Sequence, residues 1–245
     1  MYIEAVFVYR AGDMKKTVRV DIVTIFPDLI DPYLHAAMLG RGERVGVLDL
    51  RAHDLRQWTH DRHQTVDDRP FGGGAGMLMQ VAPFHEALIS LRLRKQDGTK
   101  TVTAKHARVI LTSAKGKRFT QRDAERLGKY HRLVFLCGRY EGVDERVAAK
   151  LADEELSLGD FVMTGGELAA LAMTDAIARL RPGVLGADAS LEEESHREDG
   201  IVEYPQYTRP ETYHAGKNTW TVPSILLSGD HKKIAEWREK KRIPA

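Results

Sequence analysis

The sequence predicts an α/β fold: a mainly parallel sheet with helices on both faces, followed by a small, mostly helical C-terminal domain. Three observations lead there. Short apolar runs of strand length alternate with helical patterns as far as Leu180, and such alternation lays successive strands side by side under helical cover. Three of those runs, RVIL (108–111), LVFL (133–136) and FVM (161–163), each lead into a polar loop, two of which are rich in glycine. The pattern then stops at Gly186–Gly200, a polar, acidic stretch without apolar periodicity that reads as a linker.

Taken in order, Val18–Ile25 reads as a strand, Asp28–Met38 as a helix, Val45–Leu50 as a strand and Phe84–Arg92 as a helix. Arg108–Leu111 and Leu133–Leu136 follow as strands, with a helix near Gln121–Leu127 between them. Gly166–Leu180 is helical because Leu168, Leu171, Ala172, Ala176 and Ile177 recur close to helical spacing, and Pro182-Gly183 ends it. Beyond the linker, Asp230–Lys241 reads as a helix with Ser228 as its expected N-cap. The organisation expected is an N-terminal extension (1–14), a main domain (15–185), the linker (186–200) and a tail domain (201–245).

Composition sets bounds. A chain of 245 residues with 42% hydrophobic content has ample material for a core, and a formal charge of +2 leaves any nucleic-acid surface to local clustering. Arg92–Arg108 carries six Lys/Arg against one acid, and His231–Ala245 six against two. Such runs are also the ordinary composition of a solvated helix face. The single cysteine, Cys137, excludes an internal disulfide and any multi-cysteine zinc site; it reads as a small buried residue in a cytoplasmic protein. No apolar run reaches membrane-span length, and the first thirteen residues do not read as a signal peptide. Met14, before Lys15-Lys16, is an alternative start.

The chemistry concentrates in four segments. CGRYEGVDERV (137–147) and SLGDFVMTGGELAAL (157–171) are glycine-bearing turns with carboxylates, each following an apolar run. Glycine at a strand end lets the backbone approach a ligand, so paired turns suit a flat, polar nucleoside; a single turn of this type is equally an ordinary strand-to-helix connection. LTSAKGKRF (111–119) supplies a third loop. Upstream, THDRHQTVDDRPFGGGAGMLM (59–79) runs TVDDRP into a glycine cluster. His60 and His63 lack a complementary acid or cysteine pattern for zinc. A phosphate-binding G-x-x-x-x-G-K-[ST] loop, a G-x-G-x-x-G turn after the first strand and a G-x-S-x-G elbow are all missing.

These segments, with DIVTIFP (21–27), ARLRPGVLG (178–186), EEESH (192–196), YPQYTRP (204–210) and VPSILLSGDH (222–231), resemble the bacterial tRNA (guanine-37-N1)-methyltransferases of the knotted SPOUT class. The resemblance runs from about Lys15 to Arg242. It implies a deep trefoil knot, S-adenosylmethionine as methyl donor, tRNA carrying guanosine at position 37 as partner, and a homodimer in which the linker of one chain closes over the other chain's donor. The implied donor site comprises Ala114, Gly116, Tyr140, Glu141, Gly142, Leu158, Gly159, Phe161, Met163, Gly165 and Gly166. Glu141 also faces an implied magnesium site. Asp67, Asp68, Arg69, Gly72 and Gly76 are implied as the wall for an extruded guanine, with Arg209 and the basic tail on phosphates; Asp67 and Asp68 have an alternative reading as turn caps.

Guanine N1 carries a proton at neutral pH, so methylation there needs a base for that proton and a cation or donor for the charge spreading onto O6. The resemblance implies Glu194 as base, next to Ser195, and Arg179 as the cation. Glu194 stands where the family carries aspartate, which lengthens the reach by one methylene. Ala114 and Ala169 replace common prolines, Phe161 a common tyrosine, and the chain stops soon after WREKKR. Two rivals follow: a knotted RNA-binding protein without turnover, and a methyltransferase of the same class acting on another RNA.

Overall fold

The computed structural model describes residues 17–185 and 201–244. They belong to two compact units divided at Gly186, and each is taken by itself.

In the first unit, β1 (Val18–Thr24) leads into α1 (Pro27–Leu34) and α2 (Ala37–Arg44), then β2 (Leu48–Asp54). A short antiparallel pair, β3 (Asp67–Asp68) and β4 (Leu78–Met79), brackets the glycine cluster and precedes α3 (Val81–Ser90). Then come β5 (Ala107–Arg118), α4 (Gln121–Leu127), β6 (Arg132–Cys137), β7 (Glu154–Ser157) and α5 (Glu167–Ala178). Five strands form one sheet in the order β2-β1-β6-β5-β7, every neighbouring pair parallel. The expected α/β architecture with a parallel sheet is what the chain adopts.

Both faces of the sheet are buried, which explains why its central strands read as unbroken apolar runs. In LVFL, Leu133 and Phe135 join one core with Val20, Ile22, Ile30, Leu127 and Met173, while Val134 and Leu136 join the other with Val23, Phe84 and Leu88. Alternate side chains of one strand therefore serve two cores. Cys137 is buried as expected, and burial, with the charge of Glu167, pushes its thiol well up from the usual range.

Several elements differ from the sequence reading. FVM is not a strand: Phe161 and Val162 are exposed, Val162 by 85%, and the strand before the second glycine turn is EELS, β7. Its acids hid it. Glu154 is held by Arg108 (2.6 Å) and Arg126 (2.7 Å), so this edge strand carries charge without apolar alternation. LTSAKGKR is no simple loop but the far half of β5, whose pairing with β7 shifts register between Thr112 and Lys117. The single helix expected over 28–38 is two, α1 and α2, parted at His35-Ala36, and Val45 caps α2 instead of opening β2. The basic run 92–108 is no free patch: Arg94 is buried, donates to the Leu151 carbonyl and pairs with Asp153, which Lys100 also contacts at 2.7 Å.

The tail unit contains β8 (Ile201–Val202), β9 (Thr212–Ala215), β10 (Asn218–Thr221), α6 (Ser224–Leu227), α7 (His231–Lys241) and β11 (Ile243–Pro244). Besides its helices it thus has an antiparallel hairpin, β9-β10, with Tyr213 stacked on Trp220 at 5.6 Å. The cap of α7 is Asp230, whose carboxylate accepts from Lys233 N at 3.1 Å; Ser228 instead accepts from Asp230 N and donates to Ile225 O. No residue from 202 to 242 is fully buried.

Candidate active site

A cavity of about 390 Å³ opens at the carboxyl ends of β6 and β7 and beside the middle of β5, the strand between them. This is where open α/β sheets bind ligands, because strand ends and helix N-termini converge there while the loops are free to vary. Its walls are Leu111–Lys115 from β5, Gly138–Val143 after β6, Ser157 at the end of β7, and Leu158 and Phe161–Gly166 after it. The size suits a small-molecule site, which typically spans roughly 300–1,000 Å³.

Nine of the eleven residues implied for the donor line this cavity: Ala114, Tyr140, Glu141, Gly142, Leu158, Phe161, Met163, Gly165 and Gly166. Gly116 and Gly159 do not. A Cβ on Gly116 would stand 2.6 Å from Leu156 N, so this glycine lets β7 approach the irregular stretch of β5; one on Gly159 would stand 2.9 Å from the Phe161 ring. Both shape the walls from behind. The closest fit is at Gly166, where a Cβ would collide with Thr112 Oγ1 and press on the Cys137 backbone.

The turn after β6 is held in an unusual conformation. Tyr140 has φ +59, a left-handed backbone for a bulky residue, at a cost on the order of 1–3 kcal/mol that its surroundings must offset. Glu141 N donates to Met77 O (3.1 Å), Met79 N to Gly142 O (2.9 Å) and Asp144 N to Met79 O (2.9 Å). The strand leaving the glycine cluster therefore splints the turn that walls the cavity.

That splint joins two segments the sequence kept far apart. Gly76 has φ +80, and a Cβ there would meet Glu141 Oε1 at 2.7 Å, so the 72–76 cluster lies against a carboxylate of the cavity. Asp67, Asp68, Arg69, Gly72 and Gly76 stay at or near the surface, and Phe71 is fully exposed among them. Asp68 caps locally by accepting from Arg69 N at 2.7 Å, and Gln80 donates to Asp67 O at 3.1 Å. His60 and His63 are exposed.

Sequence reasoning passed over other cavity residues. Lys115 donates to the Glu145 carboxylate as an ion pair, and that hydrogen bond raises the Lys115 pKa from its usual value. Thr112, Arg139 and Thr164 also line the wall. Part of the signal was present, since Lys115, Arg139 and Thr164 each neighbour a glycine of a segment already singled out, while Thr112 and Glu145 do not. Only chain pairing shows that they face one space.

Arg179 sits at the C-terminal cap of α5, outside the lining of the cavity, and Arg209 is exposed in the tail unit. Glu194 and Ser195 lie outside the described residues. Among those described, no group of three or more His, Cys, Asp or Glu is placed to hold a metal ion, and no helix is long and apolar enough to cross a membrane.

A family model described as tRNA (Guanine-1)-methyltransferase TrmD matches residues 18–244. Among relatives, a protein from Geobacter sp. (strain M21) is 44% identical over 223 residues, covering 91% of this chain and 84% of its own length. One from Arthrobacter sp. (strain FB24) is 47% identical over 225 residues (90% and 78%), and one from Thermobifida fusca (strain YX) 46% over 232 residues (92% and 84%). All three are named tRNA (guanine-N(1)-)-methyltransferase. With the matched region running through both units, the chain belongs to the tRNA (Guanine-1)-methyltransferase TrmD family.

Proposed function

We propose that this protein transfers a methyl group from S-adenosylmethionine to N1 of guanosine at position 37 of tRNA, acting as a homodimer in the cytoplasm, where its RNA substrate is found. Family membership makes it a methyltransferase acting on guanine N1 of tRNA. The observation that carries the reading to this chain's own atoms is the cavity at the ends of β6 and β7 beside β5, walled by the two glycine turns.

The cavity fits the donor. Its volume, its exposed rings Tyr140 and Phe161, and its backbone-lined glycine wall suit a nucleoside, while Lys115, Glu141 and Glu145 offer charges for an amino-acid end. When bound, S-adenosylmethionine supplies an electrophilic methyl on a sulfonium. The 137–147 and 157–166 turns orient it and shield it from water. A magnesium ion there would draw on Glu141 and take most of its ligands from water and the donor, and the roles of the protein groups do not depend on it. Asp67, Asp68 and the 72–76 cluster, splinted to Glu141, form the wall against which an extruded guanine presents its Watson–Crick edge. Glu194 accepts the N1 proton, Arg179 stabilises negative charge on O6, and Ser195 positions the base.

The homodimer is supported by distance. The 12 residues of α5 separate Gly166, in the cavity wall, from Arg179 at the helix's other end, which is roughly 20 Å at helical rise. A base held by Arg179 of the same chain would be too far from that chain's donor, whereas a second copy brings the two ends together. Exposed Tyr140, Phe161, Val162 and Leu168 around the cavity give that copy an apolar surface to cover. In the tail unit, Arg209 and Lys232, Lys233, Arg238, Lys240 and Lys241 of α7 are exposed and suited to phosphates.

The test is transfer of labelled methyl from S-adenosylmethionine to tRNA transcripts with guanosine or adenosine at position 37. Transfer to the guanosine transcript alone, lost in Glu194→Gln, is the expected result. Donor and tRNA binding without transfer would favour the RNA-binding rival, and transfer elsewhere on the RNA would favour a different target.

A further inference from the structure

We infer that Glu167, a buried carboxylate with no part in the chemistry above, is a positioning residue that sets the donor cavity by locking both glycine turns to the end of β1; this rests on the donor reading of the cavity.

Glu167 is the first residue of α5 and only 1% exposed. The helix N-terminus favours its charge, but burial requires that its oxygens be partnered. Arg139 Nε donates to Oε1 and Oε2, both at 3.0 Å, and Thr24 Oγ1 donates to Oε1 at 2.6 Å. Thr24 is fully buried at the last position of β1 and in turn accepts from Phe26 N at 3.0 Å. Arg139 also donates to Thr164 O (3.4 Å) and lies 4.7 Å above the Phe26 ring. One carboxylate thus ties together β1, the turn after β6 and the turn before α5.

The tie acts on the cavity wall itself. Arg139 pairs with Gly165 as an isolated bridge, and Gly166 N donates to Gly138 O at 2.9 Å, so the two turns are stitched edge to edge where they line the cavity. The fit leaves no slack, since a Cβ on Gly165 would collide with both Arg139 and Glu167. The next residue after Arg139 is Tyr140, with its left-handed backbone. Releasing Arg139 frees that turn to relax, and the cavity loses the shape that receives a donor; the 72–76 cluster touches the same turn at Glu141 but keeps the pairing of β3 with β4 that brackets it, so it is disturbed less.

The experiment compares Glu167→Gln, Thr24→Val and Thr24→Ser with the unaltered protein, reading KM and kcat for donor and tRNA, donor affinity by calorimetry, and amide hydrogen exchange at 138–142. Glu167→Gln and Thr24→Val are expected to raise donor KM and Kd about tenfold, to raise tRNA KM by a clearly smaller factor, to leave kcat little changed, and to speed exchange at 138–142. Thr24→Ser, which keeps the hydroxyl, restores all three. Should Glu167→Gln fail to fold, Thr24→Val reads the same tie through a single buried hydroxyl. Unchanged donor affinity in folded variants would overturn the inference alone, as would donor and tRNA affinities falling together with Thr24→Ser no better than Thr24→Val. Absence of donor binding in the unaltered protein would overturn the donor reading and this inference with it.

Discussion

The first unit and the tail unit are held together by different means. In the first, two cores sandwich a five-stranded parallel sheet, and the buried set runs from Val18 to Val184. In the tail, no residue from 202 to 242 is buried; Tyr213, Trp220 and Leu227 are exposed, and the unit rests on a hairpin, two helices and local pairs such as Arg238 over Tyr204 at 4.8 Å. Units this small seldom have enough apolar burial to be independently stable. Under the proposed function the contrast divides the labour: the donor site is built on the unit with two buried cores, and the surface for a large polyanion on the unit without one.

Breaking the chemistry should give the largest effects. Glu194→Gln is expected to lower the transfer rate about 10²–10⁴-fold, and Arg179→Ala about 10²–10³-fold, each with donor affinity retained by calorimetry. Gly166→Ala attacks the rigid unit instead: overpacking against Thr112 should weaken donor binding by roughly ten- to a hundredfold, leaving tRNA affinity intact. Mixing Arg179→Ala protein with Gly166→Ala protein should restore activity that neither has alone, because a mixed dimer contains one intact site. No recovery would contradict assembly from two copies.

The tail should respond to a different variable, salt. Replacing Lys232 and Lys233 with alanine is expected to weaken tRNA binding without changing donor affinity, and to flatten the log–log salt dependence by about one unit for each phosphate no longer neutralised. A tail change that altered donor affinity would contradict the division between the two units.

Acid should act on the first unit. Burial raises the Asp21 carboxyl, but hydrogen bonds from His53 and Arg19 and the charge of Arg132 outweigh that and hold it well below the usual range. Asp123 and Glu154 are also held low: burial raises each, and is outweighed by bonds from Lys117 and Arg126 to Asp123, and from Arg126 and Arg108 to Glu154. Their unfolded counterparts titrate at about 4, so the stability they contribute is complete above that pH and is lost as pH falls from there toward the depressed values. Thermal melts should therefore show a fall below about pH 4, smaller in Asp21→Asn.

Most of the fold was legible because buried parallel strands announce themselves: VRVDIVT and RLVFLC need apolar residues on both faces. What stayed hidden was held by charge or by breaks. β7 reads as acidic because its carboxylates are neutralised by arginines distant in sequence, and the α1–α2 break at His35-Ala36 leaves no strong mark. At the site, glycine turns marked the cavity wall, yet Gly116 and Gly159 turned out to support it from behind. Thr24, Arg139 and Glu167 were missed because only the fold brings the end of β1 beside the start of α5.

The identity of the product nucleoside decides most plainly whether this protein performs the proposed reaction. After reaction of the protein with S-adenosylmethionine and an unmodified tRNA carrying guanosine at position 37, nuclease digestion and mass spectrometry should find one new methyl group, as N1-methylguanosine in the fragment containing that position. A methyl on another nucleotide or another ring atom, or no methyl despite binding of both substrates, would contradict it.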